Sequence, residues 1–418
     1  MYHVIPLFYA ASERFKNTIR FAIEFYENID PEALNYAVKQ VQRRYPYFSV
    51  KIEKEGEAFV LAENSFPFVV KADEAPVCLN SAASNGHLLA FAWKERTIWV
   101  DISHFICDGN GLAPLVKSLI YYYVERRYGT DGIDTDSIRL VTDRIEEEEY
   151  AYPFPDAPIP NEDEFPIKSK ESAPFLFEDA FFDDGGSYAY NLQVPQHELM
   201  KYSRNNDGSP VSFVSAMLYK TLMNLFPETE KDTVIEIPHE YRRVLRRPLS
   251  HDCLARVFFI KLSSKDRNKS LEMLNTSLRG QIILGSDESA DIDAINGMLQ
   301  LNAYMQTLSL DGKKHAMRGL VEGSLKQNTF GVSYTGNISW GGMEKYIRDV
   351  HLYAGENDRH KSIGVELFTL GDYFSICVMQ PGKNPAFVKE LMHSFASCSI
   401  DCKLMSEERF CLADYKLP

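Results

Sequence analysis

The sequence has no apolar run of the ~18 residues that a membrane-spanning helix needs, so we predict no transmembrane segment. Residues 1–11 are apolar, but they lack the basic start of a signal peptide and charged residues follow at once. We therefore interpret residues 1–11 as a first strand.

Disulfide-forming cysteine patterns and excess positive charge are missing as well. The seven cysteines are odd in number and scattered, which argues against a secreted disulfide framework and favours a cytoplasmic, reducing location. The net charge of −14 argues against binding to nucleic acid or to an anionic membrane. An anionic co-substrate would therefore need a local basic patch.

The spacing of a zinc site is also absent. Suitable residue types occur near the end of the chain, at His393, Cys398, Cys402 and Cys411. However, no C-x-x-C spacing occurs, and alternation places Cys398 and Cys402 on one face of a predicted strand. The sequence therefore predicts no metal site.

Helical and strand patterns alternate along both halves of the chain. An apolar content of 45% is ample for two cores, and 418 residues suit two domains of about 200 residues each. We predict the α/β class, with mixed β-sheets and flanking helices in two packed layers. Residues 1–145 form one half and residues 186–418 the other. The proline-rich, acidic residues 146–185 are interpreted as a solvated crossover linker.

The most informative segment is residues 103–109, Ser-His-Phe-Ile-Cys-Asp-Gly. Apolar alternation before it predicts a strand that carries His104 onto the apolar face, where an imidazole is partly desolvated. Asp108 and Gly109 break the strand, and a helical pattern follows. Gly109 is expected to supply a positive φ or a close backbone approach. The segment thus holds a base-capable side chain at a strand end, although an inert core histidine is the alternative.

The His-x-x-x-Asp-Gly pattern in this context resembles the signature of the chloramphenicol acetyltransferase-like acyltransferases. That superfamily includes alcohol acyltransferases and the condensation domains of peptide synthetases. Later segments are similar to its two-helix element, its arginine after a strand and its late Ser/Asn–Gly loop, at residues 192–222, 233–245 and 330–347. The resemblance implies two such halves with an active-site tunnel between them, closest to the alcohol acyltransferase branch.

The resemblance also implies a reaction. An acyl group moves from a thioester to an alcohol or amine, with His104 as general base and no covalent intermediate. Asp108 is expected to be buried and to pair with an arginine from the second half, and Arg242 is favoured over Arg243. The alternative for Asp108 is a helix cap.

Oxyanion donors are expected in the late loop. Ser333, Asn337 and Ser339 are the candidates, beside backbone N–H groups, and a plain polar turn is the alternative. Arg246 and Arg247 are candidates for contacts with coenzyme A phosphates, although a solvated basic surface explains them too.

The implied donor is acyl-coenzyme A as a co-substrate, with no tightly bound cofactor. An acyl group borne on the phosphopantetheine of an acyl carrier protein is the second candidate, and the acceptor is a small molecule. Condensation domains usually carry two adjacent histidines, and the first of them is replaced here by Ser103. This replacement places condensation behind simple O- or N-acyl transfer. Carrier-linked, amide-forming condensation, a non-catalytic binding module and a hydrolase are the alternatives.

Overall fold

A computed structural model describes residues 2–3, 5–12, 15–161, 173–183, 185–324, 326–336, 338–355 and 362–418. The strands within these ranges are β1 Tyr2–His3, β2 Thr18–Phe25, β3 Val50–Glu55, β4 Ala58–Glu63, β5 Val70–Lys71, β6 Leu89–Lys94, β7 Thr97–Ser103, β8 Ser187–Pro195, β9 Thr233–Glu240, β10 Ala255–Leu262, β11 Phe330–Tyr334, β12 Ile347–Tyr353, β13 Ile363–Leu370, β14 Tyr373–Pro381 and β15 Lys403–Phe410. The helices are α1 Pro31–Arg44, α2 Gly109–Tyr128, α3 Asp179–Phe182, α4 Gln196–Asn205, α5 Pro210–Leu225, α6 Arg242–Leu245, α7 Leu271–Gly285, α8 Glu288–Gln306, α9 Leu310–Ser324 and α10 Ala386–Ser397.

Local sequence signals explain where these elements begin. Helix α1 starts at Pro31 because Asp30 caps it, its side chain accepting hydrogen bonds from the backbone N–H groups of Glu32 and Ala33 at 2.8 and 3.1 Å. The first strand is shorter than predicted, since only Tyr2–His3 is extended and Pro6–Ala10 forms a 3-10 helix. Pro6 stands at the start of that helix, where its fixed φ is favourable.

Three sheets organise the described residues. A five-stranded sheet has the order β12-β2-β7-β6-β5, a seven-stranded sheet the order β10-β9-β11-β13-β14-β8-β15, and a small sheet the order β1-β4-β3. Most neighbours are antiparallel, but β11 runs parallel to β9 and β13, and β5 runs parallel to β6. Helices α1 and α2 contribute to one buried core with β2 and β7, and α5 and α10 to a second with the seven-stranded sheet. The predicted α/β class with mixed sheets and flanking helices is confirmed.

The two predicted halves exchange elements late in the chain. Strand β12 pairs antiparallel with β2 and so extends the sheet of the first half. Met317 and Val321 of α9 are buried in the same core as Phe8. The boundaries 1–145, 146–185 and 186–418 stay a prediction, and these contacts show that the second half contributes to the first core.

The acidic run at the start of the predicted linker is not wholly solvated. Glu149 is 2% exposed and its carboxylate accepts hydrogen bonds from Arg44 at 2.9 and 3.0 Å, from Tyr47 at 2.7 Å and from Arg139 at 3.1 Å. Its backbone carbonyl accepts a hydrogen bond from the backbone N–H of His251 at 3.1 Å. Glu149 therefore ties the first half to a segment of the second, close to the motif.

Candidate active site

The motif lies at the junction between β7 and α2. Strand β7 ends at Ser103, one residue before the expected end. His104 is the first residue of the turn that follows, and its backbone N–H donates to the carbonyl oxygen of Asn17 at 2.9 Å. Asp108 then caps α2. His104 is half-buried at this strand end, between the turn and the helix that the sequence predicts.

The His104 ring contacts one polar side chain, that of Cys253. Its Nδ1 lies 3.6 Å from the Sγ of Cys253, while Nε2 makes no hydrogen bond within the described ranges. Burial raises the pKa of the Cys253 thiol, with the nearby Asp108 carboxylate acting in the same direction, so Cys253 stays a neutral thiol. In the tautomer that carries its proton on Nδ1 and donates it to the Cys253 sulfur, Nε2 is the nitrogen that can accept a proton.

Asp108 and Arg242 form a bidentate ion pair across the two halves. Arg242 donates to the two carboxylate oxygens of Asp108 at 2.7 and 2.8 Å, and each side chain is 6% exposed. The same carboxylate caps α2, accepting from the Gly111 N–H at 2.8 Å, and also accepts from the Leu254 N–H at 2.9 Å. Both interpretations of Asp108, as helix cap and as ion-pair partner, therefore describe the structure.

Arg242 carries the segment that meets His104. Besides Asp108, its guanidinium donates to the carbonyl oxygens of Ser250 at 3.1 Å and Asp252 at 2.8 Å. Burial opposes its charge, but the hydrogen bonds to Asp108 and the charge of that carboxylate raise the pKa of Arg242 above its usual value. These bonds hold residues 250–254 against the motif and so place Cys253 beside the imidazole. The adjacent Arg243 is 88% exposed and contacts only Glu288 at 3.4 Å among the described residues.

Gly109 and Gly111, at the start of α2, differ in how closely other atoms approach them. Gly109 does not adopt a positive φ, so that part of its predicted role is wrong, and a Cβ there would lie 3.3 Å from Thr335 Cγ2. A Cβ at Gly111 would lie 2.0 Å from the backbone carbonyl oxygen of His251. The close approach of the two halves therefore depends on Gly111, which sequence reasoning did not single out.

We expect Gly111→Ala to lower the free energy of unfolding by about 1–3 kcal/mol, because the new methyl group overlaps a backbone atom that cannot turn away. Gly109→Ala serves as the matched control and should stay within about 1 kcal/mol of wild type, since it meets only a movable methyl group. Urea unfolding of the two variants measures the difference. Equal losses would contradict the assignment of the close approach to Gly111.

A cavity of about 660 Å³ opens beside the motif loop. Its wall includes Phe105, Ile106 and Cys253, the chain neighbours and the ring partner of His104. The second half contributes residues 251–253 to this wall. Aromatic rings from the first half and from the segment between the halves line much of the rest: Phe8, Tyr47, Phe105, Tyr150, Tyr152 and Phe154. The cavity has the size and apolar character of a small-molecule site.

The predicted oxyanion donors do not converge on His104 in the described residues. Ser333 lies on β11 and bonds to Glu366, whose pKa is raised by burial to about 7 although the serine opposes the shift. Ser339 is exposed and lines a separate open depression of about 390 Å³ together with Trp340. Asn337 lies outside the described residues.

A hydroxyl that sequence reasoning missed lies closer to the motif. The Oγ1 of Thr335 is buried and finds no hydrogen-bond partner in the described part of the chain, while its methyl group faces Gly109. The sequence signal that could have indicated Thr335 is its position in the late loop, two residues after the candidate Ser333. Sequence reasoning also missed the run His251-Asp252-Cys253, although three consecutive side chains that can bind or transfer protons are a signal in the sequence.

Ser103, where condensation domains usually carry a first histidine, does not reach the cavity. Its side chain is fully buried, and its hydroxyl accepts a hydrogen bond from the Tyr415 hydroxyl at 2.9 Å. The substitution therefore affects packing behind the motif strand rather than the residues around the imidazole.

The other predicted contacts are peripheral. Arg246 is exposed and Arg247 half-buried in the turn after α6, and neither forms an ion pair within the described ranges. Those ranges contain no group of three His, Cys, Asp or Glu side chains that could hold a metal ion. The predicted strand through Cys398 and Cys402 is wrong, because Cys398 ends α10 and β15 begins at Lys403.

The seven cysteines are all free thiols. Across the described residues, no helix combines the length and the apolar character that a membrane crossing requires.

Comparison with known proteins places this geometry in a known architecture. No family model and no curated protein sequence matches the chain. The structure of F. sporotrichioides TRI101 complexed with coenzyme A and T-2 is 10% identical, with a TM-score of 0.61 over 97% of this chain and 99% of that chain. Polyketide synthase associated protein 5 from Mycobacterium tuberculosis is 14% identical, with a TM-score of 0.56 over 91% of this chain and 93% of that chain.

A third solved structure is the condensation domain from the monacolin K polyketide synthase MokA. It is 11% identical, with a TM-score of 0.52 over 95% of this chain and 97% of that chain. The chain has the two-domain chloramphenicol acetyltransferase-like fold. The fold expected from the His-x-x-x-Asp-Gly resemblance is thereby confirmed. Within this fold, the motif loop of one half meets residues 250–254 of the other.

Proposed function

We propose that the protein is an acyltransferase that moves an acyl group from a thioester to an alcohol or amine held in the cavity. The observation that carries this proposal is the His104 ring, whose Nδ1 lies beside Cys253 and whose Nε2 makes no hydrogen bond within the described ranges, next to a 660 Å³ cavity walled by Phe105, Ile106 and Cys253. A positioned imidazole with one free nitrogen is the group that general-base acyl transfer requires.

The chemistry needs no covalent intermediate on the protein. His104 Nε2 takes the proton of the acceptor O–H or N–H as the acceptor atom bonds to the thioester carbonyl carbon. The carbon–sulfur bond then breaks, and the proton passes from the imidazolium to the departing thiolate. The products are an ester or amide and a free thiol, and His104 returns to its neutral form.

Asp108 and Arg242 act as positioning residues in this proposal. Their bidentate bonds fix the cap of α2 on one side and the backbone of residues 250–254 on the other. His104 and Cys253 belong to these two segments, so the ion pair keeps the imidazole oriented. A hydrogen-bonded partner that orients a catalytic base is a common device in enzymes.

The developing oxyanion needs a donor near the reacting carbon. Ser333, Asn337 and Ser339 remain candidates. We add Thr335, because its buried hydroxyl finds no partner among the described residues and its methyl group lies beside Gly109. A hydroxyl without a protein partner is free to donate to a substrate oxygen.

Acyl-coenzyme A is the donor that we favour. Similarity to TRI101, which was solved with coenzyme A, supports this choice. Arg246 and Arg247, which form no ion pair within the described ranges, lie just after the short helix α6 that begins at Arg242. Coenzyme A phosphates are the kind of anion that such a pair of guanidinium groups binds. No tightly bound cofactor is required.

Carrier-dependent condensation is the second candidate function. The likeness to a condensation domain supports it. Ser103 also counts less against it than the sequence alone suggests, because this residue is buried and bonded to Tyr415 away from the cavity. In that case the donor thioester would be borne on the phosphopantetheine of an acyl carrier protein.

Thiol release tests the proposed function. The protein is mixed with a panel of acyl-coenzyme A donors or with an acylated carrier protein, with and without pooled alcohols and amines. We expect release that depends on an acceptor and that ranks the donors. Release without acceptor would indicate a hydrolase, and no release from either donor class by folded protein would contradict acyl transfer.

A further inference from the structure

The side chains of the cavity wall include acidic groups but no lysine or arginine among the described residues. The acidic groups are those of Glu63 and Asp252. Polyphosphate groups need cationic or backbone N–H partners, so this cavity does not suit the nucleotide end of coenzyme A. If the proposed function holds, it is the space for the acceptor.

His251 is held in this wall by contacts on one side of its ring. Its Nδ1 lies 2.6 Å from the backbone carbonyl oxygen of Glu149, so Nδ1 carries a proton and donates it. The ring also packs against Tyr47 with centroids 4.5 Å apart. The Nδ1 proton is therefore committed to the backbone and not to a ligand.

Asp252 is a carboxylate without an ion-pair partner among the described residues. Arg242 bonds to its backbone carbonyl rather than to its side chain, and the carboxylate accepts a hydrogen bond from the Ser250 hydroxyl at 3.2 Å. No lysine or arginine in the described ranges lies within ion-pair distance of it. Burial raises the pKa of Asp252, although the charges of His251 and Arg242 oppose the shift. Its charge adds to burial in raising the pKa of Tyr152, a ring of the same cavity.

A carboxylate beside several aromatic faces is the usual chemistry of a cation site. Aromatic rings attract an ammonium group through their negative faces, and a desolvated carboxylate supplies the opposite charge. Tyr47, Tyr150 and Tyr152 provide rings near Asp252 in this wall. An apolar, neutral ligand would leave the partly buried carboxylate unpaired.

We propose that the cavity binds the protonated amino or quaternary ammonium group of a cationic acyl acceptor, with Asp252 as its counter-charge. That this ligand is an acyl acceptor rests on the proposed function, but binding of a cation at Asp252 does not require turnover. A protonated amine has no lone pair with which to attack a thioester. The acceptor therefore carries a second nucleophile, so that amino alcohols and diamines with an apolar body form the expected class.

Equilibrium binding of two matched probes tests this proposal. The probes 4-phenylbutan-1-amine and 4-phenylbutan-1-ol share the ring and chain, and only the amine is charged near neutral pH. Titration calorimetry on the wild-type protein should show at least fivefold tighter binding of the amine. Equal affinities in the wild type would overturn the proposal without any variant.

Two variants assign the preference to a residue. Asp252→Asn keeps the shape of the side chain and should reduce the ratio of the two affinities to below twofold. Glu63→Gln is the control, because Glu63 lines the same cavity but is exposed, and the ratio should stay within twofold of wild type. Loss of the preference in Glu63→Gln but not in Asp252→Asn would overturn the assignment to Asp252.

The outcomes separate this inference from the proposed function. A preference for the amine without any acceptor-dependent thiol release would support the cation site and count against acyl transfer. Acyl transfer to neutral alcohols with no preference for the amine probe would keep the function and refute the cation site.

Discussion

His104→Ala should lower acceptor-dependent thiol release by about 10²–10⁴-fold, the usual contribution of a positioned general base. The variant removes the only imidazole at the junction of β7 and α2 among the described residues, and the carboxylate of the nearby Asp108 is already engaged by Arg242 and by the cap of α2. The loss should appear in kcat, since the base takes the proton of the acceptor in the transition state of the chemical step. Steady-state thiol release with the best donor and acceptor measures it.

His104→Gln provides the matched variant for the same position. Glutamine keeps much of the volume and can still contact Cys253, but it cannot take a proton, so its activity should be as low as that of the alanine variant. Binding of the acceptor probe should change by less than threefold in both variants, because the wall beside the motif loop is formed by Phe105, Ile106 and Cys253, which both variants keep. Activity of either variant within tenfold of wild type would contradict the role of general base.

Much of the local structure follows from local signals. Asp30 and Pro31 define the start of α1, and apolar alternation defines β7 to within one residue. Such elements are predictable because caps, proline and periodicity act within a few residues of the chain. The position of β12 beside β2 is different, since more than 300 residues separate the partners and no local signal selects that edge.

The candidate site likewise combines residues that local sequence signals predict with residues that depend on distant parts of the chain. His104 and Asp108 follow from the motif, and the bidentate contact of Asp108 with Arg242 is as the resemblance implies. Cys253 and the close approach at Gly111 depend on how the two halves dock, which spacing along the chain does not reveal. The sequence places Glu149 in a solvated acidic run, because its burial depends on Arg44 and Tyr47, which are distant along the chain, as well as on the nearer Arg139.

Arg242→Ala should cost about 3–5 kcal/mol in the free energy of unfolding, because it leaves the buried Asp108 carboxylate without its counter-charge. Arg243→Ala is the matched control on the next residue. Its side chain is 88% exposed, so its loss should change stability by less than about 1 kcal/mol. Urea unfolding followed by circular dichroism measures both. Equal effects of the two variants would contradict the pairing of Asp108 with Arg242.

A structural role and a positioning role for this ion pair predict different outcomes once the charges are removed together. Asp108→Asn combined with Arg242→Met removes both charges of the buried pair, so it should recover at least half of the stability lost in Arg242→Ala. Activity should nevertheless stay at least tenfold below wild type, because methionine cannot donate to the Ser250 and Asp252 carbonyls that carry Cys253 to the imidazole. Arg242→Lys should be intermediate, since lysine keeps the charge but loses the bidentate geometry. Recovery of both stability and rate in the double variant would mean that the ion pair only stabilises the fold and does not orient His104.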